Sequence, residues 1–123
     1  MNILLTGASG FLGSALLQSF LDKEYQIKVL LRKNSDYSRL PESGNYEKVI
    51  LEDYMNLEDS IKLDNFNEYT IVNCGWKGVQ GAQRNQLWQY KDNLDFMNEL
   101  LSLIERSDCK HLINFGSHAE YGP

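Results

Sequence analysis

Cysteine, proline, histidine, basic residues and long apolar runs are all scarce in this chain, and each scarcity removes a class of answer. Cys74 and Cys109 are the only cysteines among 123 residues. They show no Cys-x-x-Cys spacing and no clustered histidines, which argues against a zinc or other metal site and against a disulfide framework, and for buried, reduced thiols. No apolar run approaches the ~20 residues needed to cross a bilayer, so no membrane partner is expected. The first strand begins at the second residue, leaving no room for a signal peptide, and the expected location is the cytoplasm. Two prolines, no low-complexity tract and no internal repeat leave nothing to mark a linker, so one domain is expected over residues 1–123. Acidic residues outnumber basic ones by 17 to 12. A net charge of −5 argues against a nucleic-acid backbone as the main partner, since such binding needs a clustered basic face. What remains, 42% hydrophobic and 24% charged, is the composition of an ordinary soluble globular protein.

What is present is a glycine turn. Thr6-Gly7-Ala8-Ser9-Gly10-Phe11-Leu12-Gly13 lies between the apolar run Ile3-Leu4-Leu5 and the helix-like stretch Ser14-Ala15-Leu16-Leu17-Gln18-Ser19-Phe20-Leu21. Three glycines at this spacing remove the side chains that would block a tight strand-to-helix turn, keep a pyrophosphate off the backbone, or hold helix and strand apart. The helix that follows presents unpaired N–H groups and its positive dipole end to an anion. A lone glycine triplet is weak, but a strand before it and an amphipathic helix after it make this a phosphate-binding turn.

Strand and helix patterns alternate from end to end. Strands are predicted over 3–5, 27–31, 49–51, 70–74 and 112–115, with helices over 11–22 and 57–61. The longest helix is predicted over 84–107, with Leu87, Tyr90, Leu94, Met97, Leu101 and Ile104 on one face. Residues 34–46 have loop chemistry, with a short turn near Tyr37 to Leu40. Strands separated by helical crossovers cannot pair as hairpins, so an α/β, Rossmann-like doubly wound parallel sheet is predicted, five strands in order 3-2-1-4-5 with helices on both faces. Its switch point lies between the first and fourth strands, where the glycine turn, Gly75-Trp76 and Gly116-Ser117 converge.

In a dinucleotide fold the residue ending the second strand reaches the adenosine ribose, and an acid there pairs with the 2′-hydroxyl of NAD. Here Arg32 and Lys33 stand in that place. A guanidinium suits a 2′-phosphate, which favours NADP over NAD, unless Arg32 caps the strand end or stacks on the adenine. Asp53, followed by Tyr54, ends the third strand, where an acid either accepts a hydrogen bond from the adenine amino group or is simply a solvated loop residue.

With the glycine turn, Asp53, Asn73-Cys74-Gly75-Trp76, Asn93 and Gly116-Ser117-His118-Ala119-Glu120-Tyr121-Gly122 in order, the chain resembles the extended short-chain dehydrogenase/reductases. More narrowly it is similar to the amino-terminal half of the NAD-dependent epimerase/dehydratase family that acts on nucleotide sugars. The resemblance implies an NAD(P)-binding domain whose cofactor lies against Thr6, Gly7, Ser9, Gly10, Phe11, Leu12, Gly13, Arg32, Lys33, Asp53, Tyr54, Cys74, Gly75, Trp76 and Asn93. It implies that Ser117 is the catalytic hydroxyl, hydrogen-bonded to the sugar oxygen being oxidised or reduced, with Trp76 and His118 as substrate contacts. A hydroxyl at the carboxyl end of the fifth strand can polarise a carbonyl. Trp76 as a buried aromatic and Ser117 as a partner of local backbone are the alternatives.

Two departures limit the resemblance. The family's Tyr-x-x-x-Lys pair is missing, since no Tyr here has Lys four residues later, so the reacting phenol and the sugar-nucleotide domain are expected to lie outside this fragment. In the family's 4,6-dehydratases acidic residues follow the catalytic hydroxyl, whereas here His118 and Ala119 follow Ser117. That disfavours dehydration and leaves epimerisation or ketone reduction. A non-catalytic dinucleotide-sensing or scaffold domain is the alternative, and a flavodoxin-like protein fits poorly because the first turn has dinucleotide spacing. The resemblance leaves a homodimer open, because the helices that usually form the family's dimer include the long one here.

Overall fold

The structure is a computed structural model and describes residues 1–117. The chain runs β1 (Asn2–Thr6), α1 (Phe11–Leu21), β2 (Gln26–Arg32), β3 (Tyr46–Leu51), α2 (Leu57–Ser60), β4 (Tyr69–Asn73), a 3-10 turn (Gly81–Asn85), α3 (Leu87–Glu105) and β5 (Cys109–Asn114). All five strands are parallel, in the order β3-β2-β1-β4-β5. The predicted doubly wound topology is therefore present, and all strand carboxyl ends lie along one edge.

Alternation along the central strands decides which helix covers which face. Ile3, Leu5, Ile27, Val29, Leu31 and Val72 point to the side of α1 and close over Leu17. Leu4, Leu30, Tyr69 and Ile71 point to the other side and pack on Leu57, Leu100 and Leu103 of α2 and α3. The three central strands are buried on both faces, which is why they read as near-continuous aliphatic runs. Burying a side chain such as Leu17, fully enclosed, contributes about 1.5–3 kcal/mol.

Besides β3, which begins at Tyr46 rather than Val49 because residues 46–48 continue its pairing with β2, three expectations need correction. The fifth strand begins at Cys109 rather than Leu112, because β5 continues its pairing with β4 through a register shift beside Tyr69. Its early polar residues Lys110 and His111 are exposed, and this polarity hides the strand from a hydrophobicity reading. The long helix begins at Leu87, not Arg84. Gly81 adopts φ +47, and residues 81–85 form a tight 3-10 turn in which the Gln83 N–H bonds to the Gln80 carbonyl at 3.0 Å.

The third correction concerns which face of α3 is buried. Asn93, Leu100 and Leu103 are the buried positions, flanked by half-buried Phe96, Met97 and Ile104. Of the predicted stripe, Leu87, Tyr90, Leu94 and Leu101 are exposed, by 82%, 66%, 45% and 45%. The helix carries two apolar faces, and helical period alone does not say which one meets the sheet.

Candidate functional site

The glycine turn is built by exclusion. Gly7 sits at φ +70, and a Cβ there would stand 2.5 Å from the Cys74 carbonyl carbon, so the end of β1 and the residues after β4 touch backbone to backbone. A Cβ on Gly13 would overlap the Gly7 carbonyl oxygen and lie 2.6 Å from its carbon. Gly13 is thus the point where α1 rests on the turn. Gly10 is the N-cap of α1, its N–H donating to the Gly7 carbonyl at 3.0 Å. No side chain caps this helix and no acid lies in its first turn. The leading N–H groups and the dipole's positive end are therefore left for an external anion.

A cleft of about 520 Å³ opens at this turn along the carboxyl ends of β1 to β4. It brings together Gly7, Ser9, Gly10, Arg32, Asp53, Tyr54, Cys74, Gly75, Trp76 and Asn93, which the sequence scatters between residues 7 and 93. Thr6 and Gly13 are buried and do not line it; Phe11 and Leu12 are exposed on the first turn of α1 and contribute no lining side chain. Lys33 is also outside the lining: its ammonium pairs with Glu52 at 2.9 Å. Ser117 is exposed, three residues beyond β5, and is not among the lining residues. His118, Ala119, Glu120, Tyr121 and Gly122 lie outside the described residues.

The charges in the cleft are not equivalent. Lys77 pairs with Asp92 at 3.6 Å and Lys91 with Asp95 at 3.2 Å. Arg32 has no carboxylate partner among the described residues. Its carbonyl is held by the Tyr37 hydroxyl, which donates to it at 2.6 Å, so the strand end is fixed while the guanidinium keeps its donors. At Asp53, one carboxylate oxygen accepts the Met55 N–H at 2.9 Å. Tyr54 stacks on Phe96 with ring centroids 4.7 Å apart and donates to the Leu30 carbonyl at 3.2 Å. Burial pushes its phenol up to about 12, against the opposing pull of Arg32, so Tyr54 is a neutral wall and not an acid or base. Burial likewise raises the Cys74 thiol, which keeps it protonated at neutral pH.

Asn93 serves the cleft by holding its wall. Only 5% exposed, it accepts the Lys77 N–H at 2.8 Å and donates to the Lys77 and Gln89 carbonyls at 3.0 and 2.7 Å. Every polar atom of its amide is committed to backbone, so it fixes the loop after β4. Replacing Asn93 by Leu leaves the Lys77 N–H and carbonyl without their partner, and a loss of about 1–3 kcal/mol is expected. Thermal melting and faster hydrogen exchange at the Lys77 amide measure it; an unchanged exchange rate would remove the clamp from the account.

Reasoning from the sequence missed Ser35, Met55, Lys77, Lys91, Asp92, Asp95 and Phe96, all of which line the cleft. Only Phe96 carried a signal, three residues after Asn93 and hence on the same helical face.

The cradle fits a dinucleotide. Glycines clear the backbone at a helix N-terminus that opens on the cleft, the arrangement on which this cofactor class rests its pyrophosphate. Among known proteins, the chain is 26% identical over 115 residues to a sterol-4-alpha-carboxylate 3-dehydrogenase (decarboxylating) of Dictyostelium discoideum, covering 93% of this chain and 34% of that protein. The fold superposes on Bordetella bronchiseptica WbmG, crystallised with NAD, with TM-score 0.77, 22% identity, and 99% and 39% of the two chains covered. It also superposes on a UDP-glucose 4-epimerase of Thermotoga maritima, crystallised with UDP-glucose, with TM-score 0.73, 20% identity, and 93% and 37% covered. The chain thus spans little more than a third of the length of each. Residues 3–123 match the NAD dependent epimerase/dehydratase family, and with the glycine turn and five-stranded order in place the chain belongs to that family.

Proposed function

We propose that this chain is the cofactor-binding half of an NAD(P)-dependent nucleotide-sugar epimerase or reductase. The observation that carries the reading is the glycine turn, closed against the backbone of residue 74 and opening on the cleft with Arg32 and Asp53. Gly7, Ser9 and Gly10 with the amino end of α1 would hold the pyrophosphate, Arg32 the adenosine ribose and Asp53 the adenine. The bound dinucleotide supplies a hydride acceptor or donor at its nicotinamide. In the same reading the Ser117 hydroxyl orients the sugar oxygen, and Trp76, 57% exposed at the cleft, offers substrate an aromatic face. NADP is preferred to NAD through Arg32. The sequence His118-Ala119 after Ser117 favours epimerisation or reduction over dehydration. Among the described residues no helix is long and apolar enough to cross a membrane, and two unpaired thiols suit a reducing cytoplasm.

Calorimetric titration of the 123-residue chain with NADPH and NADH tests the reading, followed by incubation with UDP-glucose or UDP-galactose. Saturable binding without sugar turnover is expected, because no Tyr has Lys four residues later. No binding of either dinucleotide at millimolar concentration would overturn the cofactor reading. Turnover by this chain would overturn the division of labour.

The exposed row Leu87, Tyr90, Leu94 and Leu101 supports a homodimer through α3, since such a stripe is the form a helix-pairing seam takes. Light scattering should then show a dimer for the wild type and a monomer for the Leu94→Glu, Leu101→Glu double variant. A monomeric wild type at high micromolar concentration would reject this assembly.

A further inference from the structure

The carboxyl ends of β1, β4 and β5 are joined by a row of polar side chains where the rows below are aliphatic. Thr6 pairs in register with Asn73, and Asn73 with Asn114. One step down each strand on the same face stand Leu4, Ile71 and Leu112. Thr6 and Asn73 are 0% and 3% exposed; burying such groups is costly unless each finds a partner, and here each does. The Asn73 side-chain oxygen accepts from the Thr6 hydroxyl and from the Gly75 N–H at 3.1 Å. Its amide nitrogen donates to the Asn114 side-chain oxygen at 2.6 Å. Its carbonyl accepts the Phe115 N–H at 3.1 Å, so both ends of Asn73 are tied to the exit of β5.

The row also bears on the cradle. A Cβ on Gly75 would lie 3.2 Å from the Thr6 hydroxyl and 3.4 Å from the Asn73 side-chain oxygen, so the backbone at residue 75 rests on this pair. Residues 74 and 75 in turn are what Gly7 closes against. Asn114, exposed and outside the cleft lining, is the outermost link of a continuous contact path to the glycine turn.

We infer that Asn114 is a positioning residue for the dinucleotide cleft, setting through Asn73 the place of the Gly75 N–H and coupling it to the β5 exit that leads to Ser117. The inference rests on the proposed cofactor reading, but its test has an arm that does not. Asn114 orients the Asn73 amide by accepting its N–H, and the oriented amide presents a fixed oxygen to Gly75 and Thr6. Losing that acceptor removes the bond that anchors the nitrogen end of the Asn73 amide and leaves the Thr6 and Gly75 bonds alone to hold it, so the wall opposite Gly7 shifts.

The test uses the whole 123-residue chain and three forms: wild type, Asn114→Ala and Asn114→Asp. Asp keeps an oxygen in the acceptor's place, whereas Ala does not. In amide-correlation NMR spectra without ligand, Ala should shift the Gly75 resonance and Asp should return it towards the wild-type position. Titration with NADPH and NADH should show about 3- to 10-fold weaker binding for Ala, the equivalent of one hydrogen bond, and recovery by Asp. Asn114 lies at the exposed end of an edge strand, so both variants should fold, which melting checks. A Gly75 resonance unmoved in Ala, or Asp no closer to wild type than Ala, overturns the inference whether or not a dinucleotide binds. A wild type that binds neither dinucleotide while Gly75 still responds overturns the cofactor reading and leaves the coupling standing. Should Ala unfold, a folded Asp form with a displaced Gly75 resonance overturns the inference equally.

Discussion

Gly13→Ala is expected to destabilise this protein severely although it adds a single methyl. The added carbon would overlap the Gly7 carbonyl oxygen and stand 2.9 Å from the Ala8 Cα, and both neighbours are backbone, so no rotamer change relieves the contact. α1 would have to move off the turn, and with it Leu17 at the centre of the cluster of Ile3, Leu5, Val29 and Val72. Overpacking a close-packed core costs 1–3 kcal/mol even where side chains can adjust, so a cost of about 3 kcal/mol or more is expected here, a fall in melting temperature of roughly 10 °C or more. Gly10→Ala is the control. Gly10 has φ −83, open to any residue, and its added carbon would meet only the Gly7 oxygen, at 3.3 Å. That variant should lose only about 1 kcal/mol, the difference between Gly and Ala at an N-cap, well short of Gly13→Ala, yet bind dinucleotide more weakly, because in the proposed reading the methyl stands at the helix N-cap where the pyrophosphate would lie. Similar melting temperatures for Gly13→Ala and wild type would mean that helix and turn are not locked together as described.

This contrast also marks what could be read from the sequence. The glycine spacing, the strand order and the position of Arg32 were legible because each is a local pattern: glycines at a turn, aliphatic runs between helical crossovers, a charge at a strand end. The dominant face of α3 was not, because Leu87, Tyr90, Leu94 and Leu101 recur as regularly as Phe96, Leu100 and Leu103, and only the sheet chooses between them. A hydrogen-bonding role for Asn93, structural or in the site, could be expected from the sequence, but its partner could not: its amide bonds to the backbone of a residue 16 positions earlier, a pairing without any local signature. The same holds for Thr6, Asn73 and Asn114. Read singly, these are ordinary polar residues at strand ends, and parallel register alone makes them neighbours. The ion pair Lys77–Asp92 is likewise silent in the sequence, whereas Lys91–Asp95 is an i,i+4 pair on α3 with a local signature; together they decide which positive charge in the cleft stays available.

Since that available charge is Arg32, the proposed selection of NADP through Arg32 predicts that Arg32→Asp reverses the cofactor preference. The wild type is expected to bind NADPH about 10- to 100-fold more tightly than NADH, the range that one charged hydrogen-bonded contact of roughly 1.5–3 kcal/mol provides. In Arg32→Asp the 2′-phosphate meets a carboxylate, and NADPH affinity should fall by about 100-fold or more. NADH should bind as well as before or better, because an acid at the end of the second strand accepts the free 2′-hydroxyl. Raising the salt should narrow the wild-type preference if Arg32 acts as a charge. The fold should survive, since β2 is held at this point by the Tyr37 hydroxyl on the Arg32 carbonyl and by the Lys33 N–H on the Leu51 carbonyl at 2.9 Å, neither of which uses the Arg32 side chain. Lys33→Ala separates the two basic residues: with its ammonium on Glu52 and outside the cleft, Lys33 should leave both affinities unchanged. Equal affinities of the wild type for the two cofactors, or a Lys33→Ala effect as large as that of Arg32→Asp, would reject Arg32 as the selecting residue. An Arg32→Asp variant weakened equally towards both would reduce Arg32 to a contact with the part of the cofactor that NADPH and NADH share.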